Sequence, residues 1–487
     1  MIRIAASDSS AADKASADLI CNGSNDRTVV QKGWGRPGEK VQMLDGTYNV
    51  DMGANGVDGN PYLYPAAGTV ITGGPGVIFK AVSGICRIQV QQPNVTISGI
   101  TFKGWIHVQR YADNLTLTDF TFDCTIDGKT YLDWGQRGGC TGVIQSWAKP
   151  GTTQSGTTIR RGTIINSYHH AIGFHIAGAE QGATHQNILI EDVTLISPGS
   201  GLLEDRDWSC GIDWDAGNLK NVAVRRVKIN DSWQSAFHTD GSWDGHSQSI
   251  NNLVFEDCLA VDAGKRAGTI PNEIYESGFY LQSGTLKNCK TVNCRCGILA
   301  GNEVANSLVI EGHEDEGSQY ALAIEVGGAG AQVIDFTSTG ATRRALQAVG
   351  SNLKISEFKI AKFAGKGAPV MLGLNERLVF VDAPSHIKDL ARYRGFTYNV
   401  TGTMDFLSDT LTQLSDLIEV HSGSRVDMSR VHLSHLEPAP VVTPDPVVIP
   451  TVPPPVPIGE EPVAGEQVSA NLIRVYYSNG AFKDVAL

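Results

Sequence analysis

Gly211-Ile212-Asp213-Trp214-Asp215 and Ala236-Phe237-His238-Thr239-Asp240 follow one pattern: a small residue, a large apolar one, then alternation of polar and apolar side chains. The same pattern recurs at Ala171-Ile172-Gly173-Phe174-His175, Gly278-Phe279-Tyr280-Leu281-Gln282, Gly297-Ile298-Leu299-Ala300-Gly301, Ala321-Leu322-Ala323-Ile324-Glu325 and Ala345-Leu346-Gln347-Ala348-Val349. Alternation with period two is the signature of a half-buried strand. The successive starts lie 40, 25, 42, 19, 24 and 24 residues apart, which reads as coils interrupted by loop insertions. Self-similarity at this period predicts a solenoid of stacked strands.

A second repeated class supports the coil. Asn94-Val95-Thr96-Ile97, Asn114-Leu115-Thr116-Leu117, Asn187-Ile188-Leu189-Ile190, Asn221-Val222-Ala223-Val224 and Asn252-Leu253-Val254-Phe255 each open with Asn, a residue that tolerates left-handed backbone at turns. The Asn-x-Thr triplets at Asn94, Asn114 and Asn399 therefore read as turns. Inserts are expected at about 125–160, 178–186, 198–209, 241–250 and 265–276, carrying Trp134, Trp147, Trp208, Trp243 and Tyr275.

The reading gives four parts. Residues 1–39 form an N-terminal cap, with helix-like sequence over Ala11–Ile20 and a turn with an N-cap before Arg27–Lys32. Residues 40–436 form the solenoid, with late coils at Leu378–Phe380 and Val426–Val431. Residues 437–466 carry ten prolines and form an extended linker. Residues 467–487 contain two apolar alternations joined by Asn479-Gly480, a hairpin signature.

Composition narrows the function. The chain of 487 residues has 54 glycines, 18% charged residues and a net charge of −12, with no basic stripe, which argues against nucleic acid. No run of about 18 apolar residues suggests a membrane span, and no signal peptide is evident at the N-terminus. Nine cysteines, among them Cys124, Cys258, Cys289 and Cys294, read as buried thiols. Cys294-x-Cys296 lacks the second pair that zinc would need.

If the second and fourth positions of the repeated strands face inward, the third and fifth face outward and stack into ladders. The third-position ladder is Gly173, Asp213, His238, Tyr280 and Leu299. The fifth-position ladder is His175, Asp215, Asp240, Gln282, Gly301 and Glu325. Asp213, Asp215, Asp240 and His238 are the candidate catalytic residues, because crowded carboxylates hold one proton tightly enough to supply a general acid. His175, Tyr280, Trp208, Trp243, Glu204, Asp244 and His246 are candidate substrate contacts, tryptophan being a good platform for the apolar face of a sugar. No metal site is assigned and no cofactor is expected. Calcium is the one ion that Asp213, Asp215 and Asp240 together admit, although their spacing does not match a calcium loop.

These coils resemble the right-handed parallel β-helix of the pectate-lyase-like superfamily, an all-β fold. The opening Ala17–Asp26 followed by Gly46-Thr47-Tyr48 is similar to that of phage β-helix proteins of the tailspike and minor tail type. The resemblance implies a virion tail protein, made in the host cytoplasm, that engages cell-envelope polysaccharide and other tail proteins, with a homotrimer as the assembly. The alternatives are a polysaccharide depolymerase, hydrolase or lyase, with Asp215 and Asp240 as acid and base or nucleophile and His238 assisting, and a non-catalytic spacer in the virion. The catalytic signatures of that superfamily map poorly: the stacked Asp213, Asp215 and Asp240 resemble part of the polygalacturonase pattern, and no Lys or Arg stands at the outward positions of the central rungs.

Overall fold

The computed structural model describes residues 1–51, 62–83, 86–125, 142–176, 182–199, 209–215, 217–240, 242–243, 246–247, 249–264, 276–300, 308–324, 331–348, 353–372, 397–407, 417–420, 425–426, 431–434, 462–469, 472–477 and 482–486. It divides into two units, Met1–Leu436 and Glu437–Leu487.

The first unit is a right-handed parallel β-helix. One wall is a 13-stranded sheet, and a 23-stranded sheet supplies the rest of each coil. The repeated segments lie on the 13-stranded wall in the register their alignment requires. Gly173 pairs with Asp213, Asp213 with His238, His238 with Tyr280, and Tyr280 with Leu299. Phe174, Trp214, Phe237 and Phe279 fill the interior, with Phe237 and Phe279 stacked at 4.5 Å. Phe174 and Trp214 share one inward position and Phe237 and Phe279 another, and such stacked aromatics bury large apolar areas and keep the rungs aligned.

The corners explain the Asn pattern. Asn94, Asn114, Asn187, Asn221 and Asn252 all have φ between 54° and 62°, and their side chains bond from coil to coil. Asn114 Nδ2 donates to Asn94 Oδ1 at 2.8 Å, Asn221 to Asn187 at 3.2 Å, and Asn252 to Asn221 at 3.2 Å. Gly156 stands in the same ladder at φ 74°, where a Cβ would lie 2.1 Å from Asn114 Oδ1. A second left-handed corner carries alternating charge, Arg161 forking onto Asp119 and Arg226 onto Asp192. The third triplet differs: Asn399 lies within the strand Thr397–Leu407, paired with Lys354, so it is not at a turn.

At the N-terminus the sheet begins earlier than the sequence suggests. Ile2–Ala5 is a strand that pairs in parallel with Lys40–Met43 and with Leu19–Ile20. The first helix is therefore only Ala11–Ser16, capped by Ser10 Oγ, because Leu19 and Ile20 are taken into the sheet. The second helix, Arg27–Trp34, closes the open apolar end with Val30 and Trp34. Asp26 precedes it without capping it, and its carboxylate instead accepts from the N–H groups of Gly23 and Asn49.

Several expected inserts are shorter. Within 125–160, Gly142–Ala148 and Thr153–Ile165 are regular strands, and within 178–186 the strand Thr184–Ile196 begins. Trp147 is thus a strand residue. Within 241–250, Ser242–Trp243 and His246–Ser247 form a small antiparallel pair. Late strands occur at Arg425–Val426 and Val431–Ser434, while Leu378–Phe380, Trp134 and Tyr275 lie outside the described residues.

The second unit holds a three-stranded antiparallel sheet, Pro462–Ser469, Leu472–Tyr477 and Phe482–Ala486, rather than a lone hairpin. Its first strand starts inside the segment read as linker. The third strand supplies pairing that an isolated two-stranded hairpin lacks.

Candidate active site

Register partners in a parallel sheet lie roughly 4.8 Å apart, so outward side chains on adjacent rungs meet. His238 Nδ1 lies 2.6 Å from Asp213 Oδ1. A neutral imidazole that donates its Nδ1–H to a carboxylate carries its lone pair on Nε2, and Nε2 is then the basic nitrogen. Tyr280, on the next rung, stacks on the His238 ring at 4.8 Å and 12° and fixes its plane.

Asp213 is held from its other side as well. The backbone N–H of Cys210 donates to His170 Nδ1 at 3.1 Å, which places the ring proton on Nε2. That Nε2 faces Asp213 Oδ2 at 3.5 Å. Burial, reinforced by the rings of His169, His175 and His238, holds His170 well below the usual imidazole range and keeps it neutral at pH 7. Asp213 therefore sits between two imidazole N–H groups, one at each oxygen.

His175 completes the cluster through a missing side chain. A Cβ on Gly173 would lie 2.2 Å from His175 Nε2, so the His175 ring folds over Gly173, beside the rung of Asp213. Its ring lies 5.7 Å from that of His170 and 5.1 Å from that of Trp147, its register partner one coil earlier. These groups point away from the apolar interior yet are buried: Asp213 is 2% exposed, His238 and His175 4% and Tyr280 7%. In such surroundings an imidazole–carboxylate pair interacts more strongly than it would in water.

His170, Cys210 and Asp213 bring one ligand atom each within 4.8 Å of one another, a donor set of the zinc type. The Cys210 N–H bond opposes that use, because it leaves a proton rather than a lone pair on the nitrogen facing Asp213. The three residues fit a hydrogen-bonding cradle better. For calcium, the oxygens of Asp213 face imidazole nitrogens, and the side chains of Asp215 and Asp240 lie outside the described residues.

Of the sequence candidates, the structure brings together Asp213, His238, His175 and Tyr280. Asp215 and Asp240 are register partners by backbone. Trp243 and His246 pair across the small antiparallel ladder. Glu204, Trp208 and Asp244 lie outside the described residues. Sequence reasoning missed His170 and Cys210. Both stand one residue before the small opening residue of their segments, and extending the alignment by one position would have found them.

No family model matches the chain, and no curated protein matches it. Among solved structures it is similar to the mannuronan C-5 epimerase AlgE4 A-module of Azotobacter vinelandii, at 10% identity and a TM-score of 0.26, over 70% of this chain and 93% of that one. It is similar to the family 28 exopolygalacturonase of Yersinia enterocolitica, at 10% identity and a TM-score of 0.37, over 89% of this chain and 78% of that one. A third is ORF18 of Geobacillus virus E2, at 11% identity and a TM-score of 0.30, over 72% of this chain and 60% of that one.

Proposed function

We propose that this protein acts on a polysaccharide by proton transfer, with His238 as the base and Asp213 as the group that orients it. The observation that carries the reading is the 2.6 Å bond from His238 Nδ1 to Asp213 Oδ1, inside a buried cluster on the outward face of the central coils. An imidazole so held suits removal of a ring proton from a sugar. If that proton lies beside a carboxylate, it passes to His238 Nε2 and the electron pair forms a C=C bond. The glycosidic C–O bond breaks, and the leaving oxygen takes a proton back. Hydrolysis would instead call on two carboxylates, for which Asp215 and Asp240 are the candidates.

The setting we propose is a phage tail that engages cell-envelope polysaccharide. The C-terminal unit, which opens with a proline-rich segment, supports attachment to a larger assembly. In that setting the same cluster could bind glycan without turnover, which is the second reading.

The test is to incubate the purified protein with envelope polysaccharide and follow chain length and new ends. Shortened chains with unsaturated ends support elimination through His238, and shortened chains with saturated ends support hydrolysis. Bound but intact chains leave the binding reading and overturn the catalytic one.

A further inference from the structure

We infer that two copies of this chain pair in antiparallel orientation through one outer face of the 23-stranded sheet. The face lies between the Asn corner and the second left-handed corner, on a different wall from the one that carries His238. Its middle is a ladder of partly exposed side chains, Thr158, Leu189, Ala223, Val254, Thr285 and Val309, each the register partner of the next. At the rung spacing of a parallel sheet it runs for about 24 Å. No charged residue interrupts it, and uncharged surface rimmed by polar residues is the usual form of a protein–protein contact.

The rims choose the partner. On one side stand the Asn side chains, which bond to one another from coil to coil. On the other stands a second ladder in the same register, Arg160, Glu191, Arg225, Glu256, Lys287 and Glu311, whose charge alternates at every rung. Within the chain it forms three pairs, Arg160–Glu191 at 2.8 Å, Arg225–Glu256 at 3.1 Å and Lys287–Glu311 at 3.9 Å. The ladder sums to zero in a chain whose net charge is −12, so this rim escapes the repulsion that opposes self-association elsewhere. An even, alternating ladder is its own complement when reversed. Turned about an axis across the solenoid, a second copy lays charged rim on charged rim with the rung order inverted. Arg160 then faces Glu311 of the second copy, Glu191 faces Lys287, and Arg225 faces Glu256. Each pair within a chain becomes half of a four-charge square, and such networks hold better than isolated surface pairs. The stripe matches in the same arrangement, with Thr158 opposite Val309, Leu189 opposite Thr285 and Ala223 opposite Val254. Turned instead about the solenoid axis, the second copy would lay its Asn corner on the charged ladder, and the alternation would have no counterpart. The geometry therefore selects a two-fold antiparallel dimer over the homotrimer that the resemblance implies. A face of this size lies at the low end for specific interfaces, below about 1,200 Å² in total, so the dimer forms reversibly.

The test is sedimentation of the full chain over a range of concentrations. Its readout is mass rather than turnover, so it stands apart from the catalytic reading. The wild type is expected to pass from monomer to dimer as concentration rises. Val254→Lys puts a charge at the centre of the stripe and should weaken the dimer by about tenfold or more, since a buried unpaired charge is costly. Its melting temperature should stay close to wild type, because Val254 stands at an outward position. Thr337→Lys, beyond the second corner, should dimerise as the wild type does. Lys287→Glu combined with Glu311→Lys keeps both the pair within the chain and the net charge, yet sets like charges opposite at both ends of the antiparallel ladder. That double exchange should weaken the dimer by about tenfold as well. A wild type that stays monomeric or forms trimers overturns the inference, and so does wild-type association in Val254→Lys. A double exchange without effect overturns the antiparallel pairing, since only that arrangement opposes the two charged ladders.

Discussion

The Nδ1–H of His238 donates to Oδ1 of Asp213 at 2.6 Å, and the two residues are register partners on adjacent coils. The bond exists because a parallel solenoid repeats its outward positions rung by rung, so a carboxylate and an imidazole separated by 25 residues become neighbours. Removing the charge while keeping the shape is the direct probe. Asp213→Asn should lower turnover by at least about 100-fold, the usual contribution of a positioned acid–base group. The melting temperature should fall somewhat as well, since the amide oxygen accepts from only one of the two imidazole N–H groups and its NH2 faces the other, so turnover is compared well below the transition. Turnover within a few-fold of wild type would remove Asp213 from the chemistry.

Burial of neutral imidazoles sets the response of the fold to acid. His107 is held down at about 4, and His185 and His313 at about 3, in each case chiefly by burial. A histidine whose folded pKa lies below its unfolded value of 6.5 takes its proton preferentially in the unfolded chain. The stability it contributes is fully present above about pH 6.5 and is lost as the pH falls toward the folded value. The melting temperature should therefore drop steeply between pH 6.5 and pH 4. His313→Phe, which matches the register partner Phe336 that stacks on His313 at 5.1 Å, should make that drop shallower. An unchanged slope in that variant would be the contrary result.

Asp315 works in the opposite direction. Burial pushes its carboxyl up to about 7, against hydrogen bonds from Ser318 and Thr291 that favour the ionised form. Between its unfolded value of 3.8 and about 7, the unfolded chain ionises while the folded chain keeps the proton. Its contribution therefore falls as the pH rises through that window, by about 4 kcal/mol at most. It offsets part of the histidine slope. Asp315→Asn should remove the offset, so that this variant loses stability on acidification more steeply than the wild type. Denaturant melts at pH 4, 5, 6 and 7 would show it, and parallel curves for the two proteins would count against the assignment.

Period-two alternation made the 13-stranded wall legible, and with it the ladder Gly173–Asp213–His238–Tyr280. The Asn corners were legible because one residue type that tolerates left-handed backbone recurs there, whereas the second corner, filled by Asp and Arg, carries no such single mark. Trp147 was hidden because its segment, Val143-Ile144-Gln145-Ser146-Trp147, opens with Val instead of the small residue that marks the other rungs. His170 and Cys210 were hidden for a related reason. The position before the small residue has no fixed character, running Gly142, His170, Cys210, Ser235, Ser277, Cys296 and Tyr320 along the wall. The strand at Pro462–Ser469 was hidden by its proline and glycine, residues that ordinarily mark breaks.

Gly173 tests whether the packing of the site, and not only its charges, matters. Its missing Cβ leaves the space that His175 Nε2 fills, 2.2 Å from where that carbon would stand. In Gly173→Ala the backbone has no reason to move, because the clashing atom is the far end of a side chain that can rotate. The His175 ring would swing off Gly173, away from the rung of Asp213 and out of its contact with Trp147. Folding should therefore be close to wild type, with the melting temperature shifted by only a few degrees, the scale of about 1 kcal/mol. Saturation by polysaccharide should require higher concentrations, because the wall between Trp147 and Asp213 is rebuilt. A variant that melts normally and saturates normally would mean that His175 is packing alone and that substrate does not pass over Gly173.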